Sequence, residues 1–163
     1  MVKIIGIDPG LADTGIGIVR GRGMRIDGFA FGCVHTSSRT RLPDRLDHIY
    51  TRLLDLFREE SPALIVVEDV FSLEKYPKSG ITLGKVTGVI LLAACRAGVK
   101  VTEVPVREAK KVLTGNGSAD KIQLEKAVRN FLEMTAPIRP YHASDALGLA
   151  LIGLFRYADG LGP

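Results

Sequence analysis

The stretch VKIIGIDPGLADTGIGIVRGRGMRIDGFAFGCVH, Val2 to His35, decides the fold. Val2 to Ile7 is a short apolar run with β-branched character, Thr14 to Val19 (TGIGIV) alternates glycine with branched residues, and Arg25 to His35 is a third extended segment. The segments follow one another closely, with a Gly-Arg-Gly turn between the second and third, so they read as antiparallel hairpins. Downstream the pattern changes. Leu42, Leu46, Ile49, Leu53 and Phe57 recur at helical intervals, and Leu64 to Val67 is an apolar run of the kind buried in a sheet. A long helix over about Ile81 to Ala97 comes next, then a strand at Val99 to Val104. Helices at Val106–Leu113, Ser118–Leu132 and about Tyr141–Tyr157 end the chain.

Three meandering strands followed by two helix-linked strands predict an α/β fold: a five-stranded mixed sheet with helices on both faces. The later strands must run parallel to a neighbour, most simply the first. The ends of strands one and four then share one edge, and open α/β sheets keep their sites there. At 163 residues, 46% hydrophobic and 25% charged, the chain has the size of one globular domain, residues 1–163. Cys33 and Cys95 lie in apolar stretches without metal-like spacing and read as reduced core residues. The longest uninterrupted apolar run, Val89 to Cys95, is too short to span a bilayer, and Asp8 interrupts the N-terminus before a signal-peptide core could form. A cytoplasmic protein with no membrane partner is expected. The net charge of +4 suggests an anionic partner only where the excess is clustered.

Four positions carry the chemistry. Asp8 stands in GIDPG at the end of the first strand, where Gly10 permits a tight turn and Pro9 keeps Asp8 out of a helix; alone, it is equally a turn aspartate. Glu68 ends the fourth strand in LIVVEDVF beside Asp69, and alternation allows only one of that pair to share a face with Asp8. His142 and Asp145 sit three residues apart on one helix face, a polar notch ahead of Leu147, Leu149 and Leu151. A buried acid without compensation is costly, so a cation is its natural partner. Three carboxylates and an imidazole suit Mg²⁺ or Mn²⁺ better than structural zinc. A pair of such ions can clamp the attacking water and the leaving oxygen of a phosphodiester.

GIDPG with Asp8, VVEDVF with Glu68, the segment REAKKVLTGNGSADK, and HASDALGLA with His142 and Asp145 together resemble the RuvC family of Holliday-junction resolvases, in order and over nearly the whole chain. The resemblance implies an RNase H-like fold, a homodimer, and Mg²⁺-dependent paired nicking of four-way junction DNA in recombination and repair. It also implies two Mg²⁺ per active site, with Mn²⁺ able to substitute, and the bacterial branch-migration motor complex as a partner. Its catalytic acids fall on Asp8, Glu68 and Asp145, with Asp8 bridging both ions. The fourth catalytic position is aspartate in some members and histidine in others; here it is His142, as ligand or as water orienter.

Six basic residues lie between Arg107 and Arg129 (Arg107, Lys110, Lys111, Lys121, Lys126, Arg129) against three acids. This is a solvated helix face or a patch that tracks a phosphate backbone. Lys110 and Lys121 match DNA-contact lysines of the family, with Arg107 and Lys111 beside them. Ser118 is expected to cap the following helix and aim its N–H groups at a phosphate. Phe71, three residues after Glu68, is either core or a platform for an unpaired base. Gly80, Gly84 and Gly88 repeat every four residues along the long helix, fitting tight packing on the sheet or, as in the family, a dimer contact. Competing readings are half of an actin-like ATPase, which lacks here a second domain and an adenosine site; an RNase H-like nuclease for another substrate; and a non-catalytic branched-nucleic-acid binder, whose expected mark is a lost active-site acid.

Overall fold

A computed structural model describes residues 1–69 and 77–157. The chain runs β1 (Val2–Asp8), β2 (Asp13–Arg22), β3 (Arg25–His35), α1 (Leu42–Glu60), β4 (Leu64–Asp69), α2 (Pro77–Ala97), β5 (Val101–Pro105), α3 (Val106–Thr114), α4 (Lys121–Phe131) and α5 (Tyr141–Ile152). A π-helical turn, Gly153–Tyr157, follows α5. The strand order is β3-β2-β1-β4-β5. β1 pairs antiparallel with β2 and parallel with β4, β2 antiparallel with β3, and β4 parallel with β5. The expected mixed sheet is therefore the observed one.

Alternation along the strands sorts the core into two layers. Ile5, Ile7, Ile65 and Val67 face α1 and α2, meeting Ile49, Leu53, Phe57, Val86 and Ile90. Ile4, Val19, Leu64, Val66 and Val104 face the opposite way, against α3, α4 and α5. Asp8 shares its parity with Ile4, and Glu68 with Leu64 and Val66. Both carboxylates therefore point to the α5 side, and Asp69 to the other. Because Ile7 registers with Val67 across the parallel pair, Asp8 and Glu68 end neighbouring strands side by side.

Glycines let α5 lie almost on the strand backbones. A Cβ at Gly6 would stand 2.0 Å from the Ala146 carbonyl oxygen, one at Gly17 would stand 2.4 Å from the Leu147 nitrogen, and one at Gly15 2.0 Å from the His142 carbonyl oxygen. Gly15 is the β2 partner of Asp8. The alternating glycines of TGIGIV are thus a floor for the helix that carries His142 and Asp145.

Several expectations are corrected. Ser118 is not a helix cap: α4 starts three residues later, capped by Asp120 with Gln123 in a reciprocal capping box, while the Ser118 N–H donates to Asn116. Aspartate three residues before glutamine satisfies two N–H groups at once, which Ser118 cannot. Cys95 is exposed rather than core, although neither cysteine is bonded to another. The long helix starts at Pro77, and the last α-helix gives way to the π turn at Gly153. By length and composition Lys78–Ala97 is apolar enough to cross a membrane, which no single uninterrupted run revealed. However, its Val86, Ile90, Ala93 and Ala94 are fully buried against the sheet and α1, as in a core helix with one side uncovered. Gly84 and Gly88 lie on that uncovered side, where an added Cβ would meet nothing within 4 Å. At Gly84 and Gly88, tight packing of the stripe on the sheet is thereby excluded.

Candidate active site

The polar notch of α5 closes over the ends of β1 and β4. Asp8 is buried, 5% exposed, and its Oδ2 lies 2.6 Å from His142 Nδ1. Glu68 hydrogen-bonds to Asp8 from the neighbouring strand. Asp145, one turn along α5 from His142, is close enough to feel the charges of Asp8, Glu68 and His142. All four sequence-predicted positions therefore meet at one edge of the sheet.

Their electrostatics follow from crowding. Burial pushes the Glu68 carboxyl up to about 9, helped by its hydrogen bond to Asp8 and by the charges of Asp8 and Asp145. Crowding of the carboxyls thus disfavours the charged form of Glu68. Burial also raises Asp145 to about 6, with the Asp8 charge adding to it. The hydrogen bond to Asp8 raises the His142 imidazole from its ordinary value, against the opposing effect of burial. Asp145 Oδ1 is buried without a hydrogen-bond partner, an expensive state for a carboxylate in search of a cation.

Among the described residues no three such side chains already surround one point as a ligand set. His142 Nδ1 instead lies against Asp8 Oδ2 at 2.6 Å. The donor set fits such a cation on two counts. It is dominated by carboxylate oxygens, as hard cations require, and Asp145 offers an oxygen that nothing else uses.

The basic residues divide. Lys121, first residue of α4, acts on Glu68, His142 and Asp145, and Lys110 of α3 acts on Asp145; each pulls the carboxyls it faces downward. These two lysines rim the acidic site. Arg107 and Lys111 instead line a separate groove of about 810 Å³ with Arg156 and the 115–118 turn. Lys126 lines a third hollow, with Leu113 and Phe131. Arg129 turns inward, its Nε 3.2 Å from the buried Glu125, and leaves the patch altogether. A count of charges along the sequence could not make this division. Phe71 lies outside the described residues. Sequence reading passed over Gly15 and Gly17 as functional positions, although glycine alternating within a strand is a known sign of close backbone approach. Arg156 and Glu125 gave no such signal.

The family model described as crossover junction endodeoxyribonuclease RuvC matches residues 4–153. The RuvC of Prosthecochloris aestuarii is 37% identical over 160 residues, covering 98% of this chain and 85% of that protein. That of Syntrophomonas wolfei is 35% identical over 156 residues, covering 96% and 90%. Among solved structures, T. thermophilus RuvC in complex with Holliday junction substrate superposes with a TM-score of 0.90 at 30% identity, covering 99% of this chain and 98% of that one. The yeast mitochondrial Holliday junction resolvase Ydc2, with a TM-score of 0.62 at 12% identity over 97% of this chain and 79% of that one, shares the fold.

Proposed function

The chain belongs to the RuvC family of crossover junction endodeoxyribonucleases, and on that premise we propose how its own residues resolve a Holliday junction. It is a metal-dependent endonuclease that acts on four-way junction DNA in recombination and repair. The observation that carries the assignment of residues is the meeting of Asp8, Glu68, His142 and Asp145 at the shared edge of β1 and β4, rimmed by Lys110 and Lys121.

Asp8 is the hub. Lying between Glu68 and His142, it would hold the divalent ions together with Glu68 and Asp145. Mg²⁺ supplies Lewis acidity and a water acidic enough to act as nucleophile near neutral pH. Burial and neighbouring acids raise the Glu68 and Asp145 carboxyls, so cation binding there would be linked to proton release. His142 holds Asp8 through Nδ1, which fixes the rotamer of Asp8 and leaves Nε2 to orient water or bind the ion. Lys110 and Lys121 place the scissile phosphate by its charge, and Phe71 stacks on an unpaired base at the crossover. Arg107 and Lys111 follow a neighbouring arm.

A two-fold dimer matches the symmetry of the substrate. The uncovered side of α2, with Ile81 62% and Leu92 49% exposed and Gly84 and Gly88 between them, is the surface we assign to it. A single domain, a cytoplasmic location and contact with a branch-migration motor complete the proposal.

The decisive experiment incubates the protein with Mg²⁺ and a synthetic four-way junction. Paired symmetric nicks that disappear in Asp8→Asn support the reading. Tight junction binding without cleavage under any divalent metal would favour a non-catalytic binder.

A further inference from the structure

We propose that Glu125, a residue outside the acidic site, is a positioning residue that sets where His142 and Asp145 stand; the inference rests on the reading of that site given above. Glu125 is the fifth residue of α4 and only 4% exposed. A buried carboxyl needs partners, and it has two. Its Oε1 accepts the Ile138 N–H at 2.9 Å and lies 3.2 Å from Arg129 Nε. Arg129 Nη1 in turn donates to the Thr135 carbonyl at 3.1 Å. The bonds to Ile138 and to Thr135 both fall on the backbone of the segment between α4 and α5 and clamp it.

The position of the clamp gives it consequence. Ile138, whose side chain is fully buried, stands two residues before the Pro140 carbonyl that accepts the Ala143 N–H. His142 follows one residue before Ala143, and Asp145 one turn later. The start of α5 has no side-chain cap of its own. Its placement depends on the glycine floor beneath it and on this tether. At the other end, α4 begins with Lys121, the lysine that faces Glu68, His142 and Asp145. Glu125 therefore joins the helix bearing the cation to the lead-in of the helix bearing two members of the acidic site. Beyond the packing of α4 against α5, a hydrogen bond to one particular N–H ties α4 to a fixed point of the lead-in backbone.

Groups that hold metal ligands in place, without touching the metal, typically contribute about 10- to 100-fold in metal affinity or activity. Glu125→Ala loses both contacts. It should need about 10-fold more Mn²⁺ for half-maximal junction nicking, and about 10-fold more Mn²⁺ for the same rise in melting temperature with no DNA present. Junction affinity measured in Ca²⁺ should stay within about 2-fold, since Lys121 and Lys110 remain. In Glu125→Gln the amide oxygen still accepts the Ile138 N–H, so most of the Mn²⁺ response should return. Val128→Ala, a buried cavity-forming change on the same helix, separates positioning from loss of stability: it should lower the melting temperature and leave the Mn²⁺ requirement near that of the wild type. A wild-type Mn²⁺ response in Glu125→Ala would overturn the inference, and so would an equal defect in Val128→Ala. Asp8→Asn, run alongside, keeps the two readings apart. If it nicks normally the site assignment fails; if it is inactive while Glu125→Ala responds like the wild type, only the role of Glu125 fails.

Discussion

Replacing Gly15 by alanine tests whether the floor under α5 holds the active site together. An added Cβ would stand 2.0 Å from the His142 carbonyl oxygen, 2.4 Å from its carbonyl carbon and 3.1 Å from its Cβ. Carbon and carbonyl oxygen normally approach no closer than about 3.3 Å, so the helix backbone must retreat by roughly 1.3 Å at this point. The contact is with backbone, and no rotamer relieves it. His142 moves with its own carbonyl, and a retreat of that size directed along the 2.6 Å bond to Asp8 would stretch it to about 3.9 Å, beyond hydrogen-bond range. Misplacement of this size costs about 100-fold in rate. Overpacking also destabilises by about 2 kcal/mol, which in a domain of this size lowers the melting temperature by roughly 4–8 °C. The assay is the rate of single-turnover nicking of a synthetic junction at saturating Mg²⁺, with melting followed by circular dichroism. Gly32→Ala is the control, because a Cβ there meets nothing within 4 Å; its rate and stability should match the wild type. If Gly15→Ala nicks at the wild-type rate, the claim that α5 is seated on glycine to within an ångström is wrong.

Three further outcomes are expected. Glu68, Asp145 and His142 all titrate above their ordinary values, so each favours the metal-free fold below its unfolded value and ceases to do so as pH rises through its folded value. The metal-free melting temperature should therefore fall as pH rises through about 6 and on to about 9, and Mg²⁺ should raise it more at the higher pH, where the protons it must displace are fewer; a Mg²⁺ effect independent of pH would refute the proton-for-metal exchange. Changing Lys110 and Lys121 together to alanine should weaken junction binding and flatten the log–log salt dependence by about 1.8, the share of two phosphates, whereas an unchanged slope would mean that neither lysine touches the backbone. Leu92→Arg, on the uncovered side of α2, should yield a monomer by analytical ultracentrifugation and abolish paired incision while leaving the fold intact; a dimer of undiminished stability would move the interface elsewhere.

The sequence by itself determined the mixed five-stranded sheet, with its later strands parallel to a neighbour, and put forward Asp8, Glu68, His142 and Asp145 as the site. Hairpin spacing and helix-linked strands allow few right-handed, uncrossed arrangements, and a carboxylate closing an apolar strand is visible without coordinates. Alternation even required that Glu68 and Asp69 part company, although which of them joins Asp8 needed the register of β1 against β4. Boundaries were less legible, because capping is decided locally by competing side chains: Asp120 with Gln123 outbids Ser118. Tertiary structure alone decided the rest, since it depends on which groups share a face across long loops. Six cations in one stretch became two lysines on the acidic site, others on separate grooves, and Arg129 turned inward to Glu125. The raised Glu68 carboxyl, and the hold of His142 on Asp8, arise from burial and from contact across 134 residues of chain. Charge and hydrogen bonding act through space, and only the folded chain fixes those distances.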